Sequence, residues 1–381
     1  MGISRPIVLL THEFAPFRGG AATYGEEIAL ALASQGRTVE IWTPGSKGLP
    51  EDRHFPFAVR RLGGSASLRL PELLRFAVAV IHRHRELREK QLYLPSVGAL
   101  LVVMHLQMLG FLRHLPITVT LHGSEILRFQ RNPWLRRQAR KFFGRTTTLA
   151  AASPHALDLL RRSVFSPFAD RCVVAPCALG SAFAGAVPSP AAAPDSRLRI
   201  LTLARLHPRK GQIDTARALG LLPPEIKKQI LYQLAGTGDS AYRDAVLRAC
   251  AAAGVAAEYL GEIPPGRMAA VYQQCDVYVL TSRTLPASVE GFGITYLEAG
   301  VFEKAVVGFR TGGVADAVRH EETGLLVEEG NHEALSSALR RLIEDPALRH
   351  RLGQAGRRHA LGFSWKKSAE ILFPPTNSAA S

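Results

Sequence analysis

The segment EGFGITYLEAG (290–300) sets two glutamates, Glu290 and Glu298, on either side of a Phe-Gly core with seven residues between them. Ionised carboxylates accept hydrogen bonds from neighbouring hydroxyls, so one at each end suits a ligand with hydroxyls at both ends. Gly291 and Gly293 remove side chains where a ligand would approach the backbone. A helix is expected to start near Gly293, and the free N–H groups of a helix start, here from Phe292, Gly293 and Ile294 onward, hold a diphosphate. If the span were wholly helical, the two carboxylates would lie ~12 Å apart along the axis. Taken alone, the segment also reads as a surface helix with two solvated glutamates.

Three further segments carry groups of the right kind. ARLHPRKG (204–211) follows an apolar run and places Arg205 and Lys210 on a strand-to-helix loop, where cations bind phosphate. PFRGGAATYGEE (16–27) puts Gly19 and Gly20 ahead of a helix, a second start suited to an anion. TLHGSE (120–125) places His122 at the carboxyl end of a strand. Singly, each has a plainer reading: solvated basic residues, a glycine turn, a structural histidine.

The elements that must position these residues alternate in type. IVLLT (7–11), VEIWT (39–43), QLYL (91–94), ITVTL (117–121) and TTTLAA (146–151) are short buried-strand runs separated by helical or polar stretches. The proline-rich VPSPAAAPDS (187–196) interrupts the rhythm, which restarts with LRILTLA (198–204), QILYQLA (229–235), AEYLG (257–261), VYVLTS (277–282), AVVGF (305–309) and GLLV (324–327). Helices are expected between them, one running through Cys275 and another through Glu303, and two more close the second series. Such βαβ alternation predicts α/β architecture with parallel sheets. The expected organisation is a first Rossmann-like domain over 1–187, a linker at 188–196, a second Rossmann-like domain over 197–362, and a segment at 363–381 returning towards the first. In doubly wound sheets ligands bind outside the carboxyl ends of the strands, so a cleft between the domains is expected to hold the ligand.

Composition narrows the class. A 47% apolar, 21% charged chain of 381 residues fits two folded domains. Cys172, Cys177, Cys250 and Cys275 form no CxxC or zinc pattern and read as small buried hydrophobes. The apolar start is too short for a secretory signal, and Val97–Leu112 falls short of a membrane span, so a cytoplasmic protein is expected. The net charge of +15 is lopsided: residues 1–187 hold 24 Lys and Arg against 12 Asp and Glu. Such an excess suits an anionic membrane or anionic small molecules, while no nucleic-acid motif accompanies it. In particular, 68–90 and RFQRNPWLRRQARKFFGR (128–145) mix arginines with apolar and aromatic residues, the mixture an interfacial helix requires.

Taken in order, these motifs resemble the family-4 retaining glycosyltransferases of the GT-B fold. The resemblance runs over nearly the whole chain and also includes AGTGD (235–239), LGEIP (260–264), TGGVADAV (311–318) and ETGLLV (322–327). It implies a GT-B enzyme of two doubly wound domains facing across a cleft. It implies that Glu298 binds the ribose of a nucleotide-sugar, Glu290 the transferred sugar, and Arg205 and Lys210 the diphosphate. It also places His122 beside the sugar and brings Gly20 near the phosphates. SRTLPASVEGFG (282–293) is similar to bacterial phosphatidylinositol mannosyltransferases, which points to GDP-mannose among GDP- and UDP-sugar donors. CALG (177–180) departs from the family's usual segment there.

The resulting expectation is a hexosyltransferase with catalytic His122 and Glu290 and a lipid-linked or saccharide acceptor in envelope or exopolysaccharide glycan synthesis. No Asp-x-Asp motif occurs, so no metal and no cofactor are expected, with cations and helix starts stabilising the leaving group. Peripheral attachment to the inner face of the cytoplasmic membrane is a further expectation. A non-catalytic nucleotide-sugar-binding protein, or a GT-B enzyme of another reaction such as an epimerase, are the alternatives.

Overall fold

The structure, a computed structural model, describes residues 5–16, 19–46, 48–183, 185–188 and 197–375. The expected linker therefore lies, but for its first residue, outside the described residues. The chain divides into two compact units, Met1–Cys177 with Ser364–Ser381, and Ala178–Phe363.

The first unit holds strands β1 (Ile7–Leu10), β2 (Val39–Thr43), β3 (Ala58–Arg61), β4 (Gln91–Leu94), β5 (Ile117–Leu121), β6 (Thr148–Ala151) and β7 (Cys172–Val174). Its helices are α1 (Gly20–Ser34), α2 (Leu70–His82), α3 (Val97–Met108), α4 (Ser124–Arg131), α5 (Pro133–Phe143) and α6 (Pro154–Arg161). Among the described residues the sheet runs β3-β2-β1-β4-β5-β6-β7, all pairs parallel. The central strands are buried on both faces, which is why β1 appears in sequence as an unbroken apolar run and β5 alternates apolar residues only with threonine. Strands β3 and β7 have no counterpart in the sequence reading. Both lie at sheet edges, and β3 ends in two arginines whose charges are met by Glu40, Glu86 and Asp52.

The second unit holds β8 (Leu198–Leu203), β9 (Ile230–Ala235), β10 (Ala257–Tyr259), β11 (Val277–Leu280), β12 (Ala305–Phe309) and β13 (Gly324–Val327). Their order is β10-β9-β8-β11-β12-β13, again parallel. Around them lie α7 (Gln212–Gly220), α8 (Pro224–Lys227), α9 (Ser240–Ala252), α10 (Pro265–Gln274), α11 (Ile294–Val301), α12 (Val314–Ala317), α13 (His332–Glu344) and α14 (Pro346–Leu361). The chain then contributes α15 (Trp365–Leu372) to the first unit, where it packs on α1.

Two helices end sooner than expected. Helix α10 stops at Gln274, so Cys275 lies beyond it. Helix α11 stops at Val301, and Glu303 takes a left-handed backbone with φ 58°. Helix α3 is largely buried, and among the described residues no helix is long and apolar enough to cross a membrane. The four cysteines are buried and form no disulfide.

Both sheets reverse their strand order once, between β1 and β4 in the first unit and between β8 and β11 in the second. The loops leaving the carboxyl ends of those strands are where a doubly wound sheet leaves room for a ligand. Small residues hold α14 against α11 behind the second of these points. A methyl group added at Gly300 would sit 3.1 Å from the Gly356 carbonyl oxygen, and one at Gly353 only 1.9 Å from that of Glu303. Gly353→Ala should therefore force the α11–α14 contact apart and cost about 1–3 kcal/mol. Urea unfolding measures this, and an unshifted midpoint would contradict the packing.

Candidate active site

In the second unit the turn from β8 into α7 carries Arg205, Arg209 and Lys210, and the loop leaving β11 carries Ser282 and Glu290. One carboxylate oxygen, Glu290 Oε2, accepts from Lys210 Nζ at 2.6 Å, Ser282 Oγ at 2.7 Å and Arg209 Nη1 at 3.1 Å. The Glu290 side chain is 12% exposed, so this is a largely buried ion cluster. Burial alone would raise the Glu290 carboxyl, but the charges of Lys210 and Arg209 and the hydrogen bonds from Lys210 and Ser282 hold it at about 2. Burial pulls the Lys210 ammonium below its ordinary range, against the opposing charge of Glu290.

Backbone contacts fix the two loops to each other. Gly211 takes φ 69°, and a methyl group there would meet the Thr281 carbonyl oxygen at 1.8 Å, so the α7 start needs glycine. Arg283 N–H donates to the Arg209 carbonyl at 2.7 Å, and Thr281 Oγ1 to that of Gly211 at 2.6 Å. The TGG segment closes the far side. Gly313 N–H donates to the Glu290 carbonyl at 2.8 Å, and methyl groups on Gly312 and Gly313 would lie 2.2 and 2.1 Å from the carbonyl oxygens of Glu290 and Gly291.

Gly293 caps α11 in a left-handed conformation, φ 95°, and no side chain caps that helix start. Ile294 opens the helix, so its first turn is available to an anion. The helix covers only the second half of the Glu290–Glu298 span. Glu290 sits in the preceding loop, and the ~12 Å helical separation expected from sequence does not apply. Neither glutamate is a solvated surface group. Glu298 is buried and accepts from Tyr272 Oη at 2.6 Å, and Tyr272 stacks on Phe302 with centroids 5.9 Å apart. The Phe292 ring is buried against Phe363, with ring planes at 78°.

Arg205 is exposed and makes no ion pair among the described residues. The structure thus separates two cations that the sequence reading grouped. Lys210 is engaged by Glu290, while Arg205 is available. Sequence reasoning passed over Arg209, Ser282 and Tyr272. Arg209 was legible as the first cation of PRK. Ser282 and Tyr272 carried no signal beyond their residue type.

In the first unit His122 leaves β5, and its Nε2 lies 2.8 Å from the Pro95 carbonyl at the end of β4. A carbonyl only accepts, so Nε2 carries the hydrogen. The His122 N–H donates to Glu125 Oε2 at 3.1 Å. Gly19 precedes α1 in extended backbone, and among the described residues nothing beyond the helix's own backbone and its chain neighbours lies within 4 Å of a methyl group placed on Gly20. His12, also missed, follows β1 and is buried with Nδ1 3.0 Å from Ser96 Oγ, its ring seated against Gly98.

The Glu290 cluster makes stability depend on acid. Its folded pKa lies below the ordinary value near 4.3, so its contribution is complete above that value and lost as pH falls from about 5 towards 2. Glu290→Gln leaves two buried cations facing a neutral amide and should cost roughly 3 kcal/mol at neutral pH. Unfolding of both proteins across this pH range should show the difference shrinking with acid. A difference that stays constant down to pH 3 would show that Glu290 is not paired.

The chain matches known proteins over both of its halves. The model for glycosyl transferases group 1 matches residues 188–359, and that for glycosyltransferase family 4 matches 18–179. The chain is 29% identical to the GDP-mannose-dependent alpha-(1-6)-phosphatidylinositol monomannoside mannosyltransferase of Mycolicibacterium smegmatis, over 96% of this chain and 98% of that protein. It is 28% identical to the D-inositol 3-phosphate glycosyltransferase of an Arthrobacter species, over 95% and 90%. Among solved structures, sucrose-phosphate synthase from Thermosynechococcus elongatus superposes with TM-score 0.80 at 22% identity, covering 97% of each chain. Anabaena HepE, solved with UDP and glucose, gives 0.74 at 20% identity, covering 97% and 98%. The two parallel sheets, the matches over both halves of the chain and these relatives make the chain a group 1 glycosyltransferase of the GT-B fold.

Proposed function

We propose that this chain is a retaining hexosyltransferase that takes its sugar from a nucleotide-sugar, GDP-mannose being the first donor to test ahead of UDP-sugars. The observation that carries this reading is the buried Glu290–Lys210–Arg209 cluster at the carboxyl ends of β8 and β11. An ammonium has three N–H donors, so Lys210 keeps two for a diphosphate while the third holds Glu290. Arg205 and the first turn of α11 supply further positive potential, and Gly19 and Gly20 open the corresponding helix start of the first unit. Glu298, steadied by Tyr272, receives the ribose hydroxyls, and Glu290 and His122 receive the sugar. The donor's C1–O bond to phosphate breaks as the acceptor oxygen bonds C1 on the same face, and the leaving phosphate oxygen takes the acceptor proton. The relatives' GDP-mannose dependence supports the donor.

Glu298→Ala and Lys210→Ala should each weaken binding of free nucleoside diphosphate by about 10- to 100-fold, the loss of one charged or well-placed hydrogen bond. His122→Ala should lower turnover far more than that affinity. Transfer is measured with EDTA present, because the protein's cations take the place of a metal. Unaltered affinity in both donor variants would overturn the site. Activity that vanishes in EDTA and returns with manganese would overturn metal independence, and binding of every donor without transfer would favour a non-catalytic binding protein.

For the acceptor we propose a lipid-linked or saccharide substrate, reached by docking of the first unit on an anionic membrane. Helix α2 exposes Leu70, Leu74 and Val78 at 67%, 56% and 50%, one stripe at i, i+4 and i+8, beside exposed Arg69 and Arg75. Helix α3 packs between α2 and α5 and ends in exposed Met108 and Leu109. The aromatic edge expected from 128–145 is not formed. That stretch is two helices, α4 and α5, and Phe129, Phe142 and Phe143 fill the core while only Trp134 is exposed. The apolar contact comes instead from α2, and α5 contributes Arg136, Arg137, Arg140 and Lys141 around a recess of about 440 Å³. Each basic residue near an anionic leaflet contributes about 1 kcal/mol. The protein should sediment with anionic vesicles at low salt, less so as salt screens the charges, and less after Leu74→Glu. Protein that stays in the supernatant at low salt would make a soluble acceptor the better reading.

A further inference from the structure

Tyr24 of α1 stands edge-on to His122, with ring centroids 5.0 Å apart and planes at 90°. Trp365 of α15 stands edge-on to Tyr24 from elsewhere, at 5.2 Å and 83°. The Tyr24 hydroxyl donates to the Ala175 carbonyl at 2.8 Å, which fixes the ring at its far end. Helix α15 is itself tied down, because Ser368 Oγ donates to the Pro176 carbonyl at 2.7 Å and Trp365 and Ala369 are buried. All these residues belong to the first unit. Three of the imidazole's degrees of freedom are thereby removed. The Pro95 carbonyl selects the Nε2–H tautomer, the Tyr24 ring edge limits ring rotation, and Glu125 holds the backbone at the strand end. His122 Nδ1 makes no hydrogen bond among the described residues, and it presents a lone pair that accepts and does not donate.

We propose that Tyr24 and Trp365 are positioning residues: helix α15 brackets Tyr24, and Tyr24 holds the ring of His122, whose Nε2–H tautomer the Pro95 carbonyl selects, so that Nδ1 accepts from a hydroxyl of the transferred sugar. This rests on the transferase reading above. It gives α15, which is remote in sequence from every candidate site residue of the first unit, a defined effect on catalysis. An aromatic edge contact contributes about 0.5–1.5 kcal/mol beyond burial, enough to choose between ring orientations without being needed for folding.

The test uses the full chain with ¹⁵N-labelled histidine, His122 being assigned by its loss in His122→Ala. The imidazole should report the Nε2–H tautomer. Tyr24→Leu and Trp365→Leu should shift or broaden that signal, and Trp365→Phe, which keeps an aromatic edge, should restore it. Turnover should fall on the order of tenfold or more in both leucine variants, because small misplacements of a positioned group cost that much. Affinity for free nucleoside diphosphate should be unchanged. In a His122→Ala background the leucine substitutions should have no further effect on turnover, because residues acting through one group are not additive. An Nδ1–H tautomer, an imidazole signal indifferent to Trp365→Leu, or losses that multiply in the double variants would each overturn the proposal. Failure of the wild-type chain to transfer from any nucleotide-sugar would overturn the transferase reading instead, and the imidazole spectra would still decide the bracket. If Trp365→Leu does not fold, the Tyr24→Leu variant carries the same comparison.

Discussion

A carboxylate taken out of water is tolerated only beside cations that stay with it, and Glu290 meets that condition through Lys210 and Arg209. An unpaired ion in that position would cost several kcal/mol, whereas each surrounding neutral hydrogen bond contributes about 1 kcal/mol. Pairing therefore dictates where the loops run. The β8 turn must bring two consecutive cations to one point, the β11 loop must bring a carboxylate to the same point, and the uncapped start of α11 follows three residues later. The result is a concentrated positive edge with one built-in counter-ion. Two cations against one carboxylate leave the cluster net positive, so such a site is ready for an anionic ligand.

Glycines make that convergence geometrically possible. Side chains on Gly211, Gly312 or Gly313 would occupy the space of the carbonyl oxygens of Thr281, Glu290 and Gly291. The two glycines of AGTGD act in the same way one strand over, where added methyl groups would lie 2.3 Å from the carbonyl oxygens of Ala204 and Leu206. The glycines hold backbone against backbone, so that the loops bearing Arg205, Lys210 and Glu290 are supported by peptide groups and not by adaptable side chains.

The elements legible in the sequence were those whose physics is local. A strand buried on both faces is built mainly of apolar residues, so β1, β11 and β12 stand out, whereas β3, ending in Arg60 and Arg61, and the three-residue β7 do not. Glycine followed by a helical pattern marked the starts of α1 and α11 to within a residue. The candidate site was legible as a set of parts. Glu290, Lys210, Arg205, Glu298 and His122 each stood out by type and place. Their partners did not, because pairing is a tertiary property. Lys210 and Glu290 are 80 positions apart, and Tyr272 and Glu298 are 26 apart across two helices. The Trp365–Tyr24–His122 sequence of rings spans almost the whole chain, and no local pattern could announce it.

The charge of the first unit follows a different logic from that of the second. Arg60, Arg61 and Arg75 lie in ion pairs, and Lys90 meets Glu40. Helix α5 has none of this: Arg136 lies four residues before Arg140, and Arg137 four before Lys141, with no acidic residue in the helix. Like charges at that spacing destabilise a helix by about 0.2–0.5 kcal/mol a pair. The Asn132 cap, which accepts from the N–H groups of Trp134 and Leu135, offsets about 1 kcal/mol. The buried Ala139, Phe142 and Phe143 supply the rest, so the helix survives through its inner face while its outer face carries repulsion that no ion pair among the described residues relieves. Relief from outside, by an anion that neutralises several of these groups at once, would lower the free energy of the helix as well as that of the contact. A surface built in this way gains most from a ligand that is extended and multiply charged.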